Sequence, residues 1–177
     1  MSKNVQMKAN SMPKKSLLLF FSAFVIMAPI TSLAQEAGLA ERRAMAAYSK
    51  DVWPSIEKSI QEAAGFPVAV SLDLGRLALP GYADSYKSED YLRKPIIDPL
   101  LKSLAAISHD EMGKEALQSK LKKIVITYDE ATAPASNYEN GVVFESGNLT
   151  INWKPFTNVD DLEARSQAVT KVLESNL

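Results

Sequence analysis

The sequence contains no cysteine and a single histidine, His109. Without a thiol the chain can form no disulfide, no thiolate site for zinc or an iron–sulfur cluster, and no lipoprotein anchor. A serine triad would need His109 as its base, and the Gly-x-Ser-x-Gly elbow that accompanies such a base is missing. The seven glycines are scattered singly, so no phosphate-binding loop is present either. We therefore predict a protein without catalytic nucleophile, metal or cofactor.

A hydrophobic run long enough to span a membrane is also missing. The longest run, Leu17–Ile30, has 14 residues, whereas a transmembrane helix needs about 20. This shorter length is typical of the hydrophobic region of a secretory signal peptide. The alternative interpretation, an uncleaved N-terminal anchor, is disfavoured by the same length.

The residues around this run favour its removal. Two lysines precede it, Pro29 interrupts it, and Ser32 and Ala34 place small side chains at the positions that signal peptidase reads. We predict a signal peptide at residues 1–34, cleaved after Ala34, with Met12 as an alternative start. Together with the lack of cysteine, this predicts a periplasmic or secreted protein stabilised by packing alone.

The predicted mature chain, residues 35–177, is acidic. Residues 1–34 hold four of the 20 basic residues and none of the 21 acidic ones, so the mature chain has 16 basic and 21 acidic residues and a net charge of −5. Such a surface repels nucleic-acid phosphates. The basic cluster Lys120, Lys122 and Lys123 lies where a helix is expected to end, and there cations offset the helix dipole. We predict no nucleic-acid binding and no stable membrane insertion after cleavage.

The first half of the mature chain combines a helical and an alternating pattern. Apolar residues four apart predict a helix over residues 36–64 that ends at Gly65, with a kink or a second start at Pro54, where Asp51 could act as the cap. Alternation over residues 68–74 predicts a strand with one buried face. A loop then runs from Arg76 to Lys87.

The second half predicts two helices, three strands and a last helix. Asp98-Pro99 and the capping box Ser108–Glu111 indicate two helix starts. A strand follows over residues 122–130. Residues 142–156 predict a hairpin that turns at Gly147-Asn148, and Asn158 is expected to cap the final helix.

This order predicts an α+β fold in a single domain of residues 35–177. We expect an antiparallel or mixed four-stranded sheet, with helices packed mainly on one face and the order α-β-α-α-β-β-β-α. The order of the strands within the sheet cannot be derived from these patterns.

The polar face of this sheet is the first candidate site. If the strands of Asp73 and Asp129 were neighbours, the two carboxylates could divide acid and base roles, as in glycoside-cleaving enzymes. The alternative is a solvated sheet face with no function. The alternation places these side chains on the polar face: Ser71, Asp73, Thr127, Asp129, Glu145, Asn152 and Lys154.

The second candidate site is the loop that contains Tyr82, Asp84, Tyr86 and Tyr91. Tyrosines are large, stiff and amphipathic, and they are enriched in recognition surfaces. The acidic residues among them would suit a cationic or sugar-like ligand, but their spacing does not follow a calcium-binding EF-hand loop. The alternative places Tyr91 in the core.

Together these features predict a small exported binding or accessory module, not an enzyme, that recognises a protein or a cell-envelope component. Its predicted contact residues are Tyr82, Asp84, Tyr86, Asp73, Asp129, Glu145 and Lys154. Two alternatives stay open: an envelope hydrolase that uses the paired carboxylates, and a structural domain that associates with itself.

Overall fold

The computed structural model describes residues 38–88 and 91–177, so the predicted signal peptide lies outside the described residues. The helices are α1 (Leu39–Asp51), α2 (Trp53–Ala64), α3 (Leu74–Leu77), α4 (Asp98–Ile107), α5 (Glu111–Lys120) and α6 (Leu162–Glu174). The strands are β1 (Ala69–Leu72), β2 (Lys123–Thr127), β3 (Val142–Glu145) and β4 (Asn148–Asn152). Single 3-10 turns form at Ala83–Lys87 and Tyr138–Gly141, and a π turn at Arg93–Ile97 leads into α4.

The four strands form one mixed sheet in the order β1-β2-β4-β3. Strands β1, β2 and β4 are parallel to one another, and β3 pairs antiparallel with β4 as a hairpin. The predicted α+β class and element order are confirmed, with the first helix divided in two and the short α3 added. The hairpin turns at Ser146 and Gly147, one residue earlier than predicted, and both have the positive φ that a two-residue hairpin turn requires.

The predicted break in the first helix is confirmed. Pro54 lies in the first turn of α2, where its missing N–H costs no hydrogen bond, and Gly65 ends the helix with φ of 81°. Asp51, however, does not cap α2. Val52 occupies the cap position without a side-chain hydrogen bond.

The predicted helix start at Asp98-Pro99 is confirmed, since α4 begins at Asp98 with proline in its first turn. Asp98 does not cap the helix, however, and its carboxylate accepts a hydrogen bond from Arg93 Nε at 2.8 Å. Two other predicted helix starts differ in the structure. Helix α5 begins after Asp110, whose carboxylate accepts from Gly113 N–H. Helix α6 begins after Asp161 and not after Asn158. Asn158 has a φ of 49°, and its side-chain Nδ2 donates to Ala135 O.

One face of the sheet forms the centre of the core. A fully buried large aliphatic side chain contributes about 1.5–3 kcal/mol to the free energy of unfolding relative to an exposed one. Helices α4 and α6 pack closely against each other and α6 also contacts β3. Five side chains from β2 and β4 and the residue after β4 are completely buried on this face: Ile124, Ile126, Leu149, Ile151 and Trp153.

Candidate functional site

The opposite face of the sheet, here called the open face, carries the alternate residues of all four strands. In the middle, Ser71, Val125, Thr150 and Val143 lie side by side across the sheet and carry no charge. Val143 is 51% exposed although it is a large apolar residue. Two positions away along the strands, Lys123, Asn148 and Glu145 lie on one side of this row, and Thr127 and Asn152 lie on its other side.

The structure brings Asp73 and Asp129 together. Each follows the carboxyl end of a parallel strand, and β1 and β2 are neighbours in the sheet. Arg76 lies between the two carboxylates, with its Nε 3.6 Å from Asp73 Oδ2 and its Nη1 3.8 Å from Asp129 Oδ2. The Asp73 carboxylate also accepts hydrogen bonds from Thr127 Oγ1 and from the Arg76 backbone N–H.

Asn152 ties this corner to the loop that follows β2. Its side-chain Oδ1 accepts a hydrogen bond from Asp129 N–H at 2.8 Å, and its Nδ2 donates to Thr132 Oγ1 at 2.9 Å. Asp129 Oδ1 in turn accepts from Ala131 N–H. We call Asp73, Arg76, Thr127, Asp129 and Asn152 the strand-end cluster, because all of them lie at or just beyond the carboxyl ends of β1, β2 and β4.

The strand-end cluster is better arranged for electrostatic recognition than for proton transfer. An acid–base pair needs two carboxylates in different environments, but Asp73 and Asp129 both face Arg76 and are 42% and 44% exposed. Their outer oxygens and the exposed Arg76 guanidinium offer acceptors and donors at one edge of a flat surface. Such a group can orient a polar partner.

Two predicted site residues lie away from this cluster. Glu145 is exposed at the hairpin end of β3, opposite Asn148, and therefore at the other end of the open face from Asp73. Lys154 is exposed two residues beyond β4. The predicted polar residues thus share a sheet face but do not form one site.

The tyrosine loop differs from the predicted recognition surface. Tyr86 is only 6% exposed and its ring packs edge-on against Tyr48, so it belongs to the core and cannot contact a partner directly. Tyr91 is also buried, as the alternative interpretation expected. Tyr82 alone of the three is exposed, at 45%, and it stacks on Phe156 with 4.5 Å between ring centroids.

The acidic residue of this loop is engaged locally. Asp84 is exposed and lies 2.8 Å from Lys87 Nζ, and the hydrogen bond from Lys87 lowers the pKa of its carboxyl. Within residues 38–88 and 91–177, no three histidine or acidic side chains lie close enough together to hold a metal ion.

Glu41 anchors the loop and was missed by the sequence analysis. Its Oε1 accepts from Gly81 N–H at 2.8 Å, across 40 residues of sequence. This hydrogen bond is the main reason that the pKa of Glu41 falls below its ordinary value of 4.5. A glutamate in an amphipathic helix gives no signal of so distant a backbone partner.

The Glu41 bond makes a pH-dependent contribution to stability. A carboxyl whose pKa is lowered by folding stabilises the protein above its unfolded pKa, and the effect is lost as the pH falls through the folded pKa. We expect the stability of the unsubstituted chain to exceed that of Glu41→Gln at pH 7, with the difference shrinking below pH 4.5. Urea unfolding at pH 7, 5 and 3.5 measures it, with exposed Glu115→Gln as the control. A difference independent of pH would contradict the role of the ionised carboxylate.

A groove of about 350 Å³ lies on the helical side of the molecule between α4 and α6, and it is lined by Lys102, Glu163 and their neighbours. No helix within residues 38–88 and 91–177 combines the length and the apolar character needed to span a bilayer.

Comparisons with protein-family models, curated proteins and solved structures find no match for this chain.

Proposed function

We propose that this protein is a small exported binding or accessory module that recognises a protein or a cell-envelope component through the open face of its sheet. The observation that carries the proposal is the row Ser71, Val125, Thr150 and Val143, an uncharged band that crosses all four strands. Non-obligate protein interfaces have this composition, with an uncharged centre and a polar rim.

The rim of the open face supplies the polar contacts. Lys123 and Glu145 lie at one end, and the strand-end cluster lies at the other. The cluster would orient the partner, because Asp73, Asp129 and Arg76 present both signs of charge within one small area. Tyr82 and Asp84 lie in a separate loop and would form a second contact only for a large partner.

The proposed location is the periplasm or the extracellular space, after cleavage behind Ala34. It is supported by the short hydrophobic run with lysines before it and by a cysteine-free mature chain. Expression of the full chain in a Gram-negative host, followed by N-terminal sequencing of the protein from the periplasm, tests it. A mature protein that begins at Gln35 is expected. Recovery of the uncleaved chain in the membrane fraction would overturn the location.

Binding through the open face is tested with matched arginine substitutions. Thr150→Arg places a large cation at the centre of the open face, whereas Met112→Arg places it on α5, where Met112 is 78% exposed. Tagged unsubstituted, T150R and M112R proteins from the periplasm are used to capture envelope components. We expect the unsubstituted protein and M112R to retain one component that T150R does not retain. Equal retention by all three, with T150R folded by circular dichroism, would overturn the proposal.

A second candidate function is an envelope hydrolase, which the adjacency of β1 and β2 favours because it brings Asp73 close to Asp129. Under the binding proposal, Asp73→Asn should change the free energy of unfolding by less than about 1 kcal/mol, since ion pairs between exposed groups contribute little. The binding proposal also predicts no hydrolytic activity in the unsubstituted protein, so Asp73→Asn would have none to abolish. Hydrolysis of cell-envelope polymers that disappears in both Asp73→Asn and Asp129→Asn would establish the hydrolase instead.

A further inference from the structure

Tyr82 is the exposed end of a stack of three aromatic rings. Its ring lies on the ring of Phe156, with 4.5 Å between centroids and 22° between planes. The Phe156 ring in turn lies 5.7 Å from the ring of Tyr91, at 24°, and Tyr91 is buried in the core. Among the described residues, neither a further ring nor a cationic group lies over Tyr82. The second face of the Tyr82 ring is therefore left to solvent.

The middle ring of this stack is held in a conformation that a bulky residue rarely adopts. Phe156 has a φ of 46°, in the left-handed region. Its N–H donates to Tyr91 O at 3.1 Å, and the next carbonyl, Thr157 O, accepts from Arg165 Nη2 at 2.7 Å. Arg165 makes this contact although it is buried and two of its nitrogens lack a partner in the described part of the chain. Backbone strain that the surrounding structure enforces in this way is common at ligand-binding sites.

The backbone of Tyr82 is fixed on the other side of the stack. Glu41 Oε1 accepts from Gly81 N–H at 2.8 Å, across 40 residues of sequence. Tyr82 N–H donates to Leu79 O at 3.1 Å, and Tyr82 O accepts from Ser85 N–H at 2.9 Å. Contacts from α1, from α6 and from the residues after β4 thus converge on one exposed ring. Binding sites are built in this way, with a contact residue supported by others that do not touch the ligand.

The surface beside this ring is open and polar. Pro80 and Gly81 are exposed, and a Cβ built on Gly81 would meet no atom of the described residues within 4 Å apart from its chain neighbours. In the turn that follows, Asp84 and Lys87 form an exposed ion pair of 2.8 Å. The chain next to the ring thus supplies a hydrogen-bond acceptor and a hydrogen-bond donor. A ligand that matches this surface has one flat apolar face and an edge that carries hydroxyls.

We propose that Tyr82 is a stacking platform for a sugar ring, namely a pyranose with equatorial substituents in a β-1,4-linked glycan of the cell envelope. The axial C–H groups of such a ring form a flat apolar face, and their partial positive charge suits the negative face of an aromatic ring. At its edge, hydroxyls would donate to Asp84 and accept from Lys87. An apolar side chain of a protein would instead desolvate both charges without replacing their hydrogen bonds. This site lies outside the open face and goes beyond the proposed function.

Titration of the exported chain with defined saccharides tests the platform. The probes are tetrasaccharides of β-1,4-linked glucose and of β-1,4-linked N-acetylglucosamine, and binding is measured by calorimetry and by the ring resonances of Tyr82. We expect at least one probe to bind with a dissociation constant of about 1 mM, the limit for a ligand that buries one sugar ring. The same probe should shift the Tyr82 resonances. Sorbitol, an open-chain polyol without a rigid ring face, should do neither.

Substitutions of Tyr82 assign the binding to its ring. Tyr82→Ala removes the stacking surface and should raise the dissociation constant about tenfold, as the loss of an aromatic platform does for stacked bases. Tyr82→Phe keeps the ring and should stay within about threefold of the unsubstituted protein. Met112→Ala, at an exposed position of α5, is the control and should change nothing. Thr150→Arg should also leave saccharide binding unchanged, so failure of this site and failure of the open-face proposal are distinguishable.

Several outcomes would refute the platform. It fails if neither tetrasaccharide produces heat or a resonance shift at about 10 mM, or if sorbitol shifts the same resonances. It also fails if folded Tyr82→Ala binds as tightly as the unsubstituted protein, or if Tyr82→Phe loses as much affinity as Tyr82→Ala. Urea unfolding of each variant separates loss of binding from loss of fold. Should Tyr82→Ala not fold, the location of the shifts among the six tyrosines of the unsubstituted protein decides, because shifts that spare Tyr82 place the sugar elsewhere.

Discussion

Gly113→Ala is expected to lower the free energy of unfolding by about 3 kcal/mol, at the upper end of the range for overpacking. A Cβ at position 113 would lie 1.9 Å from the backbone oxygen of Ile107 and 3.0 Å from its carbonyl carbon. Backbone atoms cannot rotate out of the way as a side chain can. Helix α5 would therefore have to move away from the end of α4, although alanine favours helices by about 1 kcal/mol over glycine.

The matched control for this prediction is Gly75→Ala in α3. The nearest atom to a Cβ at position 75 is Asp73 Oδ1, at an ordinary contact distance of 3.5 Å. We expect its free energy of unfolding to stay within about 0.5 kcal/mol of the unsubstituted protein. Urea unfolding of both variants measures the difference. If G113A were as stable as G75A, the close approach of α5 to Ile107 would be wrong.

The turn between α4 and α5 also explains why the predicted start of α5 differs from the observed one. Ser108 to Glu111 matches a capping box, yet the Ser108 hydroxyl donates to Ala63 O at 2.6 Å, 45 residues away. With Ser108 engaged there, Asp110 caps α5 through Gly113 N–H. Local patterns therefore located the helix correctly, while a tertiary hydrogen bond decided which residue begins it.

The candidate site was predictable only in part for a similar reason. A period of two fixes which strand residues share a face, so Ser71, Thr127 and Asn152 could be assigned to one side of the sheet. It does not fix which strands are neighbours, and the adjacency of Asp73 and Asp129 depends on that. Arg76, which joins them, lay in a predicted loop and had no sequence signal.

Helix α6 shows where a hydrophobic pattern misleads. A hydrophobic pattern would assign Leu162 to the buried side and Arg165 to the surface, yet Leu162 is exposed and Arg165 is only 1% exposed. Arginine is almost never fully buried unless it is paired, so a sequence pattern assigns it to the surface. Here the guanidinium lies over two aromatic rings, 4.1 Å from the centroid of Tyr138 and 5.0 Å from that of Trp153.

Arg165 is unusual because its burial is only partly compensated. Its Nη2 donates to Thr157 O at 2.7 Å, but its Nε and Nη1 make no hydrogen bond in the part of the chain that the structure describes. Burial lowers the pKa of Arg165, with the charge of Asp161 and the neighbouring Tyr138 acting in the opposite direction. The side chain thus stabilises the fold through packing and aromatic contacts, whereas the burial of its charge is unfavourable.

Two substitutions of Arg165 separate these contributions. Arg165→Ala should lower the free energy of unfolding by about 3 kcal/mol, because it leaves a cavity and removes both aromatic contacts. Arg165→Met fills most of the space without a buried charge. It should therefore remain within about 1 kcal/mol of the unsubstituted protein, since apolar replacements of buried charges are often neutral or stabilising. Urea unfolding at pH 7 measures both, with exposed Arg76→Ala as the control.

The contrast between Ala and Met also bears on the exposed aromatic surface. Arg165 holds the backbone at Thr157, the residue after Phe156, and the Phe156 ring supports the exposed Tyr82. Arg165→Ala should therefore increase the access of Tyr82 to a soluble quencher in addition to lowering stability. If Met proved as destabilising as Ala, the guanidinium itself would be the stabilising group. Its hydrogen bond to Thr157 and its stacking on Tyr138 would then outweigh the cost of burying the charge.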